Sequence, residues 1–142
     1  MKGSLLFVFL LLAAGCGPYR NISDSAGASR HILSIDKNQQ DQDQYDVVII
    51  DPGFNNWFET TWNPAIDHSE KYYDQWNDQY VSAWNYKASH MGYSDYFDSS
   101  INYDPATDYG MEVSRKLYYY FRYVEIVKKV QILDFKRPDG VI

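Results

Sequence analysis

The sequence predicts an α+β domain in which aromatic-rich helices pack on one face of a small sheet, in the order strand, helix, helix, strand. Three observations predict it: a β-branched run at residues 47–50, two long segments with apolar residues at steps of three and four, and an alternating run at residues 130–135. Two strands alone are marginal in water. Either the helices supply most of the core, or a third strand lies within residues 93–103.

The first predicted strand is the continuous run Val-Val-Ile-Ile at residues 47–50, which is typical of a strand buried on both faces. Asp51-Pro52-Gly53 follows and predicts a type II turn, because proline fixes φ at the second position and glycine accepts the positive φ of the third. Residues 55–62 then predict a short helical turn that ends before Asn63-Pro64, since a residue before proline is displaced from helical geometry.

The first long helix is predicted from about residue 67 to residue 87. Asp67 and Glu70 are spaced as a capping pair, and Ser69 is the alternative cap. The predicted aromatic face contains Tyr72, Trp76, Tyr80, Ala83 and Trp84. The predicted polar face contains Asp74, Asp78, Ser82 and Asn85. This segment is therefore expected to be an amphipathic helix that contributes rings to the core.

The second long helix is predicted from Asp104, or from Thr107 as an alternative cap, to about Lys129. Lys128 and Lys129 suit the negative end of its dipole. Its wide apolar face contains Val113, Leu117, Tyr120, Phe121, Val124 and Val127. Its polar stripe contains Arg115, Tyr118, Arg122, Glu125 and Lys129. The width of the apolar face places this helix at the centre of the domain.

Composition limits both the class of protein and its partners. Of the 25 aromatic residues in 142, 22 lie in residues 45–136, and the only cysteine is Cys16. A domain without disulfides is therefore expected to rely on large rings for its core. The net charge of −6 argues against nucleic acid as a partner, because such binding needs a basic surface.

The first sixteen residues resemble a bacterial lipoprotein signal. One lysine, Lys2, precedes an apolar run of ten residues, 5–14, and small residues lead up to Cys16. Ten helical residues rise only about 15 Å, half the thickness of a hydrocarbon core, so a membrane span is not expected. The resemblance implies cleavage before Cys16, lipidation of its sulfur and a membrane anchor. The alternative is an ordinary secretory signal that happens to contain a cysteine.

The sequence then divides into a signal peptide at residues 1–15, the lipidated cysteine with a flexible tether at 16–44, a single aromatic-rich domain at 45–137 and a tail at 138–142. The tether is inferred from its few large apolar residues. Within it, Asp24-Ser25-Ala26 resembles the short sequence at which Bacteroidota attach O-glycans, so Ser25 is a candidate glycosylation site. The alternative is a polar turn.

Four segments resemble a family of small Bacteroidota lipoproteins classed as a domain of unknown function. They are YDVVIIDPGFNNW at 45–57, YVSAWNY at 80–86, NYDPATDYG at 102–110 and LYYYFRY at 117–123. The resemblance implies a Gram-negative envelope lipoprotein, and it carries over no catalytic or binding residue. Surface-exported lipoproteins of that phylum usually have an acidic cluster after the cysteine. Residues 17–20 lack one, which favours the periplasmic side of the outer membrane.

Three functions remain open from the sequence. The first is a non-enzymatic module that binds or scaffolds an envelope partner. The second is glycan or peptidoglycan binding on exposed rings, for which the candidate residues are Trp57, Trp62, Tyr93 and Tyr96. The third is a hydrolase with Asp51 and Asp104 as acids, although turn formation and helix capping are the favoured explanation of both residues.

No cofactor or metal is expected. The three histidines, His31, His68 and His90, are scattered and lack the spacing of a zinc site. The basic residues of the second long helix, Arg115, Arg122 and Lys129, are candidates to face an anionic lipid or an acidic partner. The alternative is that they pack against acidic segments of the same chain.

Overall fold

The computed structural model describes residues 32–41, 43–90 and 96–137. The elements are β1 (Ile32–Lys37), β2 (Tyr45–Ile50), α1 (Phe54–Thr61), a 3-10 turn (Pro64–Ile66), α2 (Glu70–His90) and α3 (Met111–Ile126). The predicted α+β class is confirmed. Within the described ranges, no helix is both long enough and apolar enough to cross a membrane. Four predicted features lie outside the described residues: the signal peptide with Cys16, the candidate glycosylation site Ser25, the ring of Tyr93, and the tail at 138–142.

The two strands form one antiparallel hairpin, with Leu33 opposite Ile49 and Ile35 opposite Val47. These four side chains lie on the core face. On the outer face, Val48 and Ile50 are 42% and 53% exposed, so the prediction that this strand is buried on both sides is wrong.

The predicted domain boundary at residue 45 is also wrong, because β1 lies in the segment assigned to the tether. Residues 32–35 read Ile-Leu-Ser-Ile, and every second side chain meets the core. Leu33 and Ile35 therefore hold this segment on the core, although the overall composition of the predicted tether is polar.

The core is a helix pair filled with rings. Tyr80 of α2 stacks on Phe121 of α3 with ring centroids 5.0 Å apart, and both side chains are fully buried. Phe54 of α1 meets Tyr120 edge to face at 5.4 Å. A polar link also joins α2 to α3, since Asn77 Nδ2 donates to the Ser114 carbonyl at 2.8 Å. Aromatic packing therefore forms the core, as predicted.

Helix α2 begins at Glu70, directly after Ser69, which is the alternative N-cap that the sequence predicts. Ser69 Oγ accepts from the backbone N–H of Tyr72 at 3.3 Å, so Ser69 is the N-cap. The prediction of Asp67 as the cap is wrong, because that carboxylate binds Arg115 and Tyr73 instead. The short helix before it, Phe54–Thr61, agrees with the predicted helical turn.

Helix α3 is shorter at both ends than predicted. Asp104 and Thr107 form a separate turn, in which the Asp104 carboxylate accepts from the Ala106 N–H and the Thr107 hydroxyl. The helix ends at Ile126, and Lys129 has a positive φ of 60°. The Val130 N–H then returns to the Val124 carbonyl, so the chain turns back on the helix.

Residues 130–135 do not form the predicted closing strand. Ile132 and Leu133 are both buried although they are adjacent, which an alternating strand does not allow. Their backbone N–H groups donate to Glu125 Oε1 at 3.3 and 3.2 Å. This carboxylate therefore accepts the hydrogen bonds that the backbone of a neighbouring strand would accept in a sheet. Residues 96–103, the described part of the other predicted strand, carry no strand either.

Candidate functional site

A cleft of about 500 Å³ opens between the turn of the hairpin and the start of α3. Tyr45 from β2 and Tyr109 meet edge to face on its wall at 4.8 Å, and Tyr103 stacks on Tyr109 at 5.0 Å. Gly110 has φ 84°, and the Asp108 carboxylate accepts its N–H at 3.0 Å. This glycine turn directs the chain into α3, so Tyr109 stands at the mouth of the cleft.

The charge of the cleft is mainly negative. Asp43, Asp46, Asp108 and Glu112 line it, opposite a single cation, Lys116. Within the described ranges, none of these four carboxylates takes part in an ion pair. The Lys37 ammonium already lies 5.9 Å from the centre of the Tyr45 ring, so this wall of the cleft accepts a cation from the chain itself.

The negative region continues along the start of α2. Burial and the charges of Asp108 and Asp74 raise the pKa of Glu70, because each neighbouring carboxylate opposes a further negative charge. Glu70, Asp74 and Asp108 share a shallow depression at this point. Glu70 and Asp74 thus extend the negative region from Asp108 beyond the lining of the cleft.

A second groove, of about 340 Å³, shares Glu112 and Lys116 with the cleft. Trp62 lies in it, with the guanidinium carbon of Arg115 4.6 Å from its ring centre and the Phe58 ring parallel at 5.9 Å. The structure therefore brings together one predicted ligand-facing residue, Trp62, and one predicted partner-facing residue, Arg115. Their contact with each other occupies an indole surface that a sugar would need.

Arg115 is also held from inside the domain. Its Nη2 lies 2.8 Å from Asp67 Oδ2, and the Tyr73 hydroxyl donates to Asp67 Oδ1. Burial would raise the pKa of Asp67, but the Tyr73 hydrogen bond and the Arg115 charge outweigh it, and the pKa lies below its usual value. Arg115 therefore agrees with the alternative prediction, in which basic residues of the second long helix pack against acidic segments of the same chain.

The predicted polar stripe of α3 is wrong at Arg122 and Tyr118, which are only 6% and 4% exposed. Arg122 Nη1 lies 3.2 Å from Glu125 Oε2, so this part of the guanidinium pairs with a carboxylate on the same helix. Lys129 is exposed beyond the end of α3. The helix wheel did not predict this burial, because the Glu125 carboxylate and the Tyr80 hydroxyl, which accept from Arg122 Nη1, are contacts that the wheel does not show.

Trp57 and Tyr96, two further predicted ligand-facing rings, are not part of the lining of the cleft. Trp57 is half-buried against Tyr119 and Tyr123, with centroids 6.3 and 5.4 Å away. Tyr96 is half-buried, and burial together with the Asp51 charge raises its pKa. The cleft residues Tyr45 and Tyr109 were not predicted, because their proximity depends on the hairpin and on the Gly110 turn.

The two acids considered for hydrolysis have structural contacts. Asp51 Oδ1 lies 2.8 Å from Lys128 Nζ, and its backbone carbonyl accepts from the Phe54 N–H in the predicted turn, where Gly53 has φ 96°. Asp104 organises the turn before α3. In the described part of the chain, no three His, Cys, Asp or Glu side chains are grouped so as to hold a metal ion.

The family comparison covers nearly the whole chain. A family model described as a family of unknown function (DUF6146) matches residues 4–138. The chain belongs to DUF6146. The match to DUF6146 includes the apolar run, Cys16, the hairpin and all three helices. No curated protein and no solved structure matches the chain.

Proposed function

We propose that this DUF6146 chain is a lipid-anchored, non-enzymatic binding module of the cell envelope, attached through Cys16 and facing the periplasm from the outer membrane. The charged residue Lys2, the ten-residue apolar run at 5–14 and the small residues before Cys16 support the anchor. Two or more acyl chains make such an anchor stable, whereas one gives only marginal binding.

Metabolic labelling with radioactive palmitate tests the anchor. The natural chain is expected to take up label and to fractionate with membranes, and Cys16→Ala is expected to do neither. A matched Ser25→Ala variant should keep the lipid label, and a loss of hexose mass in that variant would place a glycan on Ser25. Palmitate incorporation into Cys16→Ala would overturn the anchor.

The cleft at the start of α3 carries the binding part of the proposal. Its volume of about 500 Å³ suits one or two side chains, and its wall combines the Tyr45 and Tyr109 rings with four carboxylates. Rings and carboxylates together favour a cation, by attraction to the ring faces and by charge. We therefore propose a partner that presents a basic segment.

A fluorescent tetralysine peptide is a suitable probe, with anisotropy as the measurement at low ionic strength. The variant Asp43→Asn/Glu112→Gln removes two cleft charges, and Asp98→Asn/Asp134→Asn removes two exposed charges that do not line the cleft. The cleft variant is expected to bind about tenfold more weakly, which corresponds to roughly 1.4 kcal/mol. Equal weakening in both variants would mean that net charge, rather than the cleft, attracts the peptide.

Glycan binding is the second candidate, and one observation favours it at this cleft. Tyr45 and Tyr109 line the cleft beside carboxylates that can accept hydrogen bonds from sugar hydroxyls, whereas Arg115 covers the ring of the predicted site residue Trp62. Sedimentation with purified sacculi tests it. Tyr109→Leu is expected to reduce co-sedimentation, and Tyr86→Leu, a ring 58% exposed on α2, is expected to leave it unchanged.

A further inference from the structure

A separate pocket lies between the last turns of α3 and the segment that follows. Its volume is about 360 Å³. It is lined by Arg122, Glu125, Gln131, Leu133, Phe135, Lys136 and Arg137. The lining side chains carry three formal positive charges and one negative charge, on a chain whose net charge is −6. This pocket therefore has the opposite sign to the cleft.

Arg122 gives the pocket an unused hydrogen-bonding edge. The residue is 6% exposed, and its Nη1 donates to the Tyr80 hydroxyl at 3.4 Å and to Glu125 Oε2 at 3.2 Å. Its Nε is buried and finds no acceptor among the described residues. The Nε–Nη2 edge of a guanidinium presents two parallel N–H groups, and these match two oxygens of a phosphate.

The Glu125 carboxylate already accepts four hydrogen bonds and is not the acceptor of the Nε–Nη2 edge of Arg122. Its Oε2 accepts from the Tyr80 hydroxyl at 2.7 Å and from Arg122 Nη1, and its Oε1 accepts the N–H groups of Ile132 and Leu133. Four donors on one carboxylate spread its charge and hold it in place. Glu125 therefore positions Arg122 and fixes the wall of the pocket without filling the Nε–Nη2 edge.

Arg137 forms the other wall in a fixed position. Its guanidinium carbon lies 3.8 Å from the centre of the Trp76 ring, and its Nη2 donates to the Tyr72 hydroxyl at 3.0 Å. Lys136 stands exposed at the rim. The described lining side chains carry more positive than negative formal charge, which favours an anion, and the paired oxygens of a phosphate monoester or of a lipid phosphodiester suit a guanidinium.

We propose that this pocket binds a phosphate group, held by the Nε–Nη2 edge of Arg122 with Lys136 at the rim. The site is independent of the lipid anchor and of the cleft. The phosphate belongs either to a soluble molecule or to an anionic lipid headgroup, and both present the same oxygens to Arg122.

The test uses the full chain in nonionic detergent, titrated with inorganic phosphate against sodium chloride at equal ionic strength. Calorimetry measures binding, and the intrinsic tryptophan fluorescence, to which Trp76 beside Arg137 contributes, gives a second readout. Saturable binding of phosphate is expected. In a second arm, phosphatidylglycerol is added to the micelles in place of phosphate, and saturation in that arm alone assigns the lipid headgroup as the source.

Three variants locate the site. Arg122→Lys keeps the charge but loses the two-pronged edge, and it is expected to weaken binding about tenfold. Lys136→Gln removes an exposed rim charge without disturbing the fold, and it is expected to weaken binding about threefold. Lys129→Gln removes one exposed charge outside the pocket and should have no effect. If neither ligand saturates the chain, or if Lys136→Gln behaves like Lys129→Gln, the proposal is wrong.

Discussion

Arg115 and Asp67 join α3 to the turn before α2 through an ion pair of 2.8 Å, and each side chain is only 18% exposed. The same guanidinium covers the Trp62 ring at 4.6 Å, and the same carboxylate accepts the Tyr73 hydroxyl. One contact therefore links α3 to residues 62–73 around the start of α2. The pair also removes Arg115 from the surface that a partner would reach.

Asp67→Asn is expected to destabilise the protein by about 1–3 kcal/mol at neutral pH, because Arg115 loses its charged acceptor. The folded pKa of Asp67 lies below its usual value of 3.8, so its contribution is present above that pH and is lost as the pH falls through the folded pKa. Urea unfolding at neutral and acidic pH measures both effects. A stability difference between Asp67→Asn and the natural chain that does not shrink in acid would contradict this account.

Lys128→Met is expected to cost about 3 kcal/mol, because Asp51 would keep a buried charge without its cation. The Asp51 side chain is 2% exposed, and its Oδ2 has no hydrogen-bond partner among the described residues. Asp51→Asn should cost only about 1 kcal/mol, since Lys128, 28% exposed, can turn toward water. Hydrogen bonding to Asp51 raises the pKa of Lys128, so the contribution of this pair fades only above the usual lysine value of 10.5.

Denaturant unfolding of the two variants side by side checks this asymmetry. Lys128→Arg keeps the charge and serves as the control, with an expected loss smaller than that of Lys128→Met. Equal losses for Asp51→Asn and Lys128→Met would show that the buried charge of Asp51 is not what makes the lysine necessary.

Gly53→Ala is expected to be destabilising by about 2 kcal/mol for two separable reasons. Gly53 has φ 96°, and an added Cβ would lie 3.0 Å from the Tyr123 hydroxyl oxygen. That hydroxyl donates to the Pro52 carbonyl at 2.9 Å, so displacing it also breaks a hydrogen bond. In a Tyr123→Phe background only the backbone strain remains, and Gly53→Ala should then cost roughly half as much. A double-mutant cycle with urea unfolding measures the coupling, which would be zero if the contact with Tyr123 were harmless.

Buried tyrosines predict unfolding in alkali. Burial raises the pKa of Tyr80 to about 12, and it also raises the pKa of a further group of tyrosines. That group contains Tyr73, Tyr96, Tyr103, Tyr119, Tyr120 and Tyr123. Tyrosine in the unfolded chain ionises at about pH 10. Above that pH the unfolded state therefore binds fewer protons than the folded state, and the free energy of unfolding falls. The part of the tyrosinate absorbance that comes from these buried hydroxyls should change together with the circular dichroism in one late step. Complete ionisation near pH 10 with native dichroism would contradict the burial of these hydroxyls.

Local patterns predicted the parts of this fold that depend on neighbouring residues. Steps of three and four placed Tyr80 and Trp84 on the buried face of α2, and Pro52-Gly53 predicted the turn with its positive φ. These features need no knowledge of distant segments. They account for the helices, the first turn and the aromatic core.

The errors arise where a distant partner decides the outcome. Arg122 is buried where Glu125 and Tyr80 accept from its Nη1. Glu125 also accepts the N–H groups of Ile132 and Leu133, which a neighbouring strand would otherwise have to accept. The cleft was missed for the same reason, since it exists only where the hairpin meets the start of α3. Composition assigned residues 32–37 to a tether, although their alternation fits a strand that pairs with β2.

The hairpin allows a matched test of that last point, because neighbouring residues of β1 face opposite ways. Ile35 lies opposite Val47 and packs on the core, whereas Ser34 lies opposite the exposed Val48. Ile35→Asn should destabilise the domain by about 2–3 kcal/mol, since it removes apolar area from the core and buries an amide. Ser34→Asn should change stability by less than about 0.5 kcal/mol. If residues 32–37 were a flexible tether, urea unfolding would give the same midpoint for both variants, because neither side chain would contact the folded domain.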